Sequence, residues 1–139
     1  SSESIPKNIA VPLKIKEFVE GNSMMYLFRF ENHQLMSMGS MNFIGDAIEG
    51  LSPDILLAGS ANSRKEIYNY TERLISLTNF PRIIIPTHWD DFRVTYSASQ
   101  EKAIASKAAP FIKEAKLFSP RSDVILPKHL EVMTFKANR

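Results

Sequence analysis

A chain of 139 residues, 44% hydrophobic and 23% charged, suffices for one domain with a real core. Its formal net charge of +2 excludes a nucleic-acid footprint built on charge alone. The absence of cysteine excludes disulfides and thiolate metal sites, leaving His, Asp and Glu as the strong metal ligands.

Residues 1 to 8 are polar and contain Pro6, the composition of a loose end. From residue 9 to 19, Val11, Leu13 and Ile15 alternate with Lys14, Lys16 and Glu17, the pattern of a half-buried strand. A turn at Gly21, Asn22 and Ser23 leads to an aromatic strand at residues 24 to 30. Glu31, Asn32 and His33 connect it to a strand at 34 to 38. These three strands read as an antiparallel meander. Phe43, Ala47, Ile48 and Leu51 then fit a short helix ending near Gly50. The apolar run at 55 to 59 is of parallel-strand type. Ser63, with Glu66 three residues on, fits a capping box, and Ile67, Tyr70, Leu74 and Leu77 predict an amphipathic helix over 64 to 78. Ile83, Ile84 and Ile85 predict a buried strand that stops at Pro86, which has no N–H for the ladder. After an irregular stretch at 93 to 98, residues 99 to 116 read as a helix that Pro110 kinks or splits. Short strands are predicted at 124 to 126 and 130 to 135. No repeat, low-complexity tract or linker interrupts the chain, so residues 1–139 form one domain of the α/β class.

The densest chemistry lies past the isoleucine strand, where His88, Trp89, Asp90 and Asp91 follow one another. In open α/β sheets ligands gather at the C-terminal ends of parallel strands. His88 is the candidate metal ligand, and a carboxylate such as Asp90 or Asp91 can orient a metal-bound imidazole. A His that only bonds to backbone is the competing reading, as a core anchor is for Trp89. Gly39, Ser40, Met41 and Asn42 form a second candidate at the end of a strand, against a plain turn in which Ser40 or Asn42 caps a helix. Ser40 is in no Gly-x-Ser-x-Gly elbow. The loop Gly59, Ser60, Ala61, Asn62 and Ser63 is a third, able to offer N–H groups to an anion but without P-loop spacing. His33 and His129 read as surface residues, and Tyr26, Phe28 and Phe30 as core rather than a base-stacking platform.

The order of these segments resembles the C-terminal half of the metallo-β-lactamase-fold hydrolases. The resemblance rests on the strand ending at Gly39, Ser40, Met41 and Asn42, on Pro53 and Asp54 before the apolar run 55 to 59, and on Ile85, Pro86, Thr87, His88, Trp89, Asp90, Asp91 and Phe92. It covers roughly residues 24 to 92 and implies half of an αββα sandwich, a mixed sheet with helices packed on one face. It also implies that His88 is the last metal-ligating His, that Asp90 or Asp91 orients it, that Ser40 lines the pocket, and that the cofactor is zinc. The reaction implied is hydrolysis of a small-molecule ester, amide or phosphodiester by zinc-bound water.

Two departures bear on that implication. Ser40 stands where many members carry a metal-bridging Asp, so one metal fits better than two. The family's His-x-His-x-Asp-His motif is absent from the chain, which has no His before His33. A catalytic zinc needs about three protein ligands. The chain, which opens on Ser1 rather than Met, is therefore expected to be part of a longer hydrolase and inactive alone. The alternatives are a non-catalytic binding or assembly domain that keeps the fold without metal, and a flavodoxin-like domain holding a phosphate at Gly59 to Ser63. Exposed apolar surface predicts a homo-oligomer or contact with a missing N-terminal half. No nucleic-acid or membrane partner is expected, no membrane-length apolar run or secretory leader being visible, and the default compartment is the cytoplasm.

Overall fold

The computed structural model describes residues 23–95, 97–128 and 131–136. The strand expected at residues 9 to 19 and His129 lie outside the described residues. Within them the chain builds one mixed five-stranded sheet in sequential order. Strands β1 (Met25–Arg29) and β2 (Gln34–Met38) form an antiparallel hairpin, closed by the Phe30 N–H donating to the His33 carbonyl at 2.8 Å. Strands β3 (Ile55–Gly59), β4 (Ile83–Thr87) and β5 (Asp123–Val124) extend β2 in parallel. The protein is thus α/β, and among the described residues the antiparallel strand β1 stands at one end of a parallel sheet.

Strand periodicity divides the side chains between two faces. Met36, Met38, Leu56, Ala58 and Ile84 face the helices. There they join Ile48, Tyr70, Leu74, Ile75, Phe111 and Ala115 in the main core. Ile55, Ile83 and Ile85 face the other way and are covered in part by Ile125, Met133 and Phe135. The C-terminal stretch therefore packs on the sheet without pairing into it. The strand expected near 130 to 135 is not formed at 131–136, and β5 has only two residues.

Helix α1 (Gly45–Ile48) is a single turn, released at Gly50, whose φ of +81° costs glycine nothing. The helix expected over 64 to 78 is divided. A 3-10 turn (Asn62–Glu66) precedes α2 (Tyr70–Leu77), and Asn69 between them is left-handed at φ 43°. The cause is side-chain direction. On one continuous α-helix residues 64 and 70 would stand roughly 120° apart. The break lets both Arg64 and Tyr70 turn inward, to 1% and 3% exposure. Arg64 Nη2 donates to Glu114 Oε1 at 2.7 Å, and its guanidinium lies 5.8 Å from the centre of the Phe111 ring. Glu114 also accepts from Thr71 Oγ1 at 2.7 Å. Ser63 makes no side-chain cap.

The last helical stretch runs through α3 (Glu101–Ala103), a π-helical turn (Ile104–Ala108) and α4 (Ala109–Phe118). Pro110 lies in the first turn of α4, where its missing N–H is least costly. The π-turn immediately before it is the form the expected kink takes.

Pro86 corrects the sequence reading of β4. The strand does not stop there but runs through it to Thr87, pairing Ala58 with Pro86 and Gly59 with Thr87. The alternation of the ladder explains this. Ile84 points its backbone groups at β5, as its carbonyl accepting from Ile125 N–H at 3.0 Å shows. Pro86, two residues on, points the same way. Its missing N–H is therefore lost to β5 and not to β3, and pairing with β5 ends at Val124.

Candidate functional site

Three chain reversals meet at the C-terminal edge of the parallel strands. After β2 come Gly39, Ser40 and Met41. After β3 comes Ser60, and after β4 comes His88. Met41 packs so closely on Gly59 that a Cβ there would overlap its sulfur, which explains a glycine with an ordinary negative φ. Ser60, fully buried, donates to the Thr87 carbonyl from both its backbone N–H and its Oγ, each at 2.8 Å. These bonds anchor the peptide that precedes His88. The Ser60 N–H is thereby spent inside the fold, and the Arg64 N–H is spent on the Ala61 carbonyl at 3.1 Å. Fewer of this loop's N–H groups remain for the anion considered from sequence.

His88 has φ 56°, the left-handed region, at a residue that is not glycine. This conformation costs an L-residue roughly 1–2 kcal/mol, and it turns the chain sharply out of the sheet. The imidazole is exposed, the Thr87 Oγ1 just before it is buried without a hydrogen-bond partner, and Ser40 is half-buried. Ser40 and His88 follow strands two positions apart in the sheet, on the order of 10 Å between backbones. The edge therefore brings them to one side of the molecule without making them neighbours.

The two carboxylates are placed differently. Asp91 is engaged by Arg93, with Arg93 Nε to Oδ1 at 2.8 Å and Nη2 to Oδ2 at 3.0 Å, and Oδ1 also accepts the Arg93 N–H at 3.1 Å. The bidentate guanidinium holds its pKa down to about 2 from an ordinary 3.8. Asp91 thus organises a turn, while Asp90 is exposed and is held through its backbone, its carbonyl accepting from Lys107 Nζ at 2.8 Å. Gln100 Oε1 accepts the Asp91 N–H at 3.0 Å. Gln100 and Lys107 escaped sequence reasoning because one precedes α3, the other lies in the π-turn, and each meets the loop only after folding.

Beside this loop lies a cleft of about 770 Å³ between residues 89–104 and 126–128. Trp89 is half-buried in its wall and belongs to neither core cluster, so it lines a pocket rather than anchoring the core. Among the described residues, no three His, Asp or Glu side chains converge as a metal-binding group. His88 is thus a single exposed imidazole, and the described residues do not hold a metal by themselves. Also among the described residues, no helix is long and apolar enough to cross a membrane. Compared with models of known families, with curated proteins and with solved structures, the chain finds no match in any of the three.

Proposed function

We propose that this chain is the C-terminal part of a metal-dependent hydrolase of the metallo-β-lactamase type, contributing one imidazole, His88, to a zinc site whose other ligands come from outside the described residues. The observation that carries the reading is His88 itself, held left-handed at the C-terminal edge of a parallel sheet with its imidazole exposed. Backbone strain of this kind collects where a side chain must be presented. In this reading the sheet forms half of an αββα sandwich, Ser40 lines the far side of the pocket, and Asp90 and Asp91 shape the wall on the near side. The chain alone is inactive and contributes positioning and substrate contacts rather than the whole reaction.

The test begins with the reading frame upstream of Ser1. A His-x-His-x-Asp-His motif in frame, and a full product that retains zinc through dialysis and loses it on His88→Ala, are the expected results. An upstream frame without the motif, or zinc retention indifferent to His88→Ala, overturns the reading.

A second reading, a metal-free binding or assembly domain, draws on the outer face of β1. Tyr26 and Phe28 stack there at 6.2 Å while remaining 47% and 46% exposed. That apolar face also supports contact with a second copy or with the absent half, which scattering on the intact chain tests: a monodisperse monomer counts against self-association.

A further inference from the structure

A second cleft, of about 550 Å³, opens at the opposite edge of the sheet from His88, where the chain enters β4 and β5. That volume is in the range of small-molecule pockets. Its apolar walls come from Phe80 on the approach to β4 and from Phe118 and Pro120 at the end of α4. The two approaches are bonded to each other. The Asp123 N–H donates to the Arg82 carbonyl at 2.8 Å, and Ser122 Oγ donates to the Pro81 carbonyl at 2.6 Å while accepting from Ser119 Oγ at 2.6 Å.

Phe80 is the unusual wall. Helix α2 ends in a Schellman motif, with the Asn79 N–H on the Ser76 carbonyl at 3.0 Å and the Phe80 N–H on the Ile75 carbonyl at 2.9 Å. That motif accounts for a left-handed Asn79. Phe80 is left-handed as well, at φ 54°, which a bulky residue rarely adopts. Its ring is nevertheless 54% exposed and belongs to neither core cluster. Strain that yields no burial is of the kind that collects at ligand clamps.

The charges select the ligand. Arg82 and Arg121 line the cleft and no Asp or Glu does. Among the described residues, neither guanidinium has a carboxylate within ion-pair distance. Arg121 is exposed, and Arg82 uses Nη2 on the Lys136 carbonyl at 3.1 Å while its Nε is buried without a partner. Nor do they cap α2, whose Leu74, Ile75 and Ser76 carbonyls are taken by the N–H groups of Thr78, Phe80 and Asn79. Two guanidiniums without carboxylates suit an oxyanion, and the rings beside them suit an apolar body.

We infer that this cleft binds an organic oxyanion, a carboxylate or phosphate monoester carried on an aromatic-sized apolar body. The site lies apart from His88 and stands whether or not the chain belongs to a hydrolase.

The full chain is titrated by calorimetry with phenylacetate, phenyl phosphate, neutral phenylacetamide, acetate and inorganic phosphate. Saturable binding of phenylacetate or phenyl phosphate is expected, the tighter of the two identifying the headgroup. Phenylacetamide and the bare ions should bind about tenfold more weakly. Arg121→Gln, at an exposed side chain, and Phe80→Gly, which relieves the backbone, should each weaken the aromatic anion several-fold in a folded protein. Amide resonances of Phe80, Arg82 and Arg121 should move on binding, while the emission of Trp89 at the other edge stays constant. Phenylacetamide binding as tightly as the anions would reduce the cleft to an apolar surface, and acetate or phosphate binding as tightly would mean an adventitious ion only. Either result, the absence of saturable binding, or variants that bind like the parent overturns the proposal.

Discussion

Single residues hold the edge of the sheet in place, and each can be tested by one substitution. His88 carries a left-handed backbone directly after Thr87, whose carbonyl Ser60 holds. Glycine adopts that conformation without a Cβ penalty, so His88→Gly should raise unfolding stability by about 0.5–1 kcal/mol in a denaturant titration. Equal or lower stability would mean that the imidazole makes a compensating contact, and would weaken the idea that strain is retained for presentation. Tyr70 is the opposite kind of residue. Its hydroxyl is buried and donates to the Gly59 carbonyl at 2.8 Å, and burial pushes its pKa well above the ordinary 10.0. Tyr70→Phe leaves that carbonyl without its donor and should cost about 1–3 kcal/mol. An unchanged midpoint would show that another donor replaces the hydroxyl.

At the scale of elements, the Arg64 pair ties the 3-10 turn to α4. Glu114→Ala would leave a guanidinium buried to 1% exposure without its carboxylate. Removing one partner of a fully buried pair costs about 3–5 kcal/mol. Because Glu114 is itself 41% exposed, the loss should be nearer about 2 kcal/mol, and the double change Arg64→Met, Glu114→Leu should recover most of it by thermal unfolding. The loop after β4 has its own pH signature. Asp91 has a folded pKa of about 2, below its ordinary 3.8, so its contribution is present above pH 3.8 and is lost as the pH falls toward 2. Trp89 emission should change across that window and Asp91→Asn should abolish the change. Arg93 is exposed, so added salt should weaken the pair. The sequence made β2, β3 and the β1–β2 hairpin legible because alternation and apolar runs are local signals. The break at residues 67 to 69 was not legible, because it turns both Arg64 and Tyr70 inward and the partner that meets Arg64 there, Glu114, lies fifty residues away. Nor did any local pattern reveal that Pro86 lies inside a strand, since that depends on which neighbour its N–H side faces. His88 and its two Asp stood out as a cluster. Their separation into an exposed imidazole, a turn-forming carboxylate and a backbone anchor came only with the fold.

The molecule as a whole protects its sheet unequally. The helix face carries the main core. Among the described residues, the opposite face has Ile125, Met133 and Phe135 packed over the isoleucines of β3 and β4. Phe135→Ala should therefore cost about 2–3 kcal/mol, below the roughly 3–5 kcal/mol of a fully buried Phe because the ring is only half-buried. It should also raise binding of a hydrophobic dye to the folded protein. A protein that keeps its stability and stays dye-silent would show that the C-terminal stretch does not shield that face. Pro86 has a consequence for this asymmetry. Because it has no N–H for the Ile125 carbonyl, the ladder between β4 and the chain after β5 ends with the Ile125 N–H bond to the Ile84 carbonyl, and Leu126 and Pro127 line the cleft instead. Pro86 acts as a spacer that keeps the mouth of the molecule open. Restoring a donor with Pro86→Val would offer the Ile125 carbonyl its next rung and draw that wall inward. The protein would then gain one rung and no more, because Pro127 has no N–H to continue the ladder, and slower amide exchange at residue 86 together with less room beside Trp89 would come from the same atom.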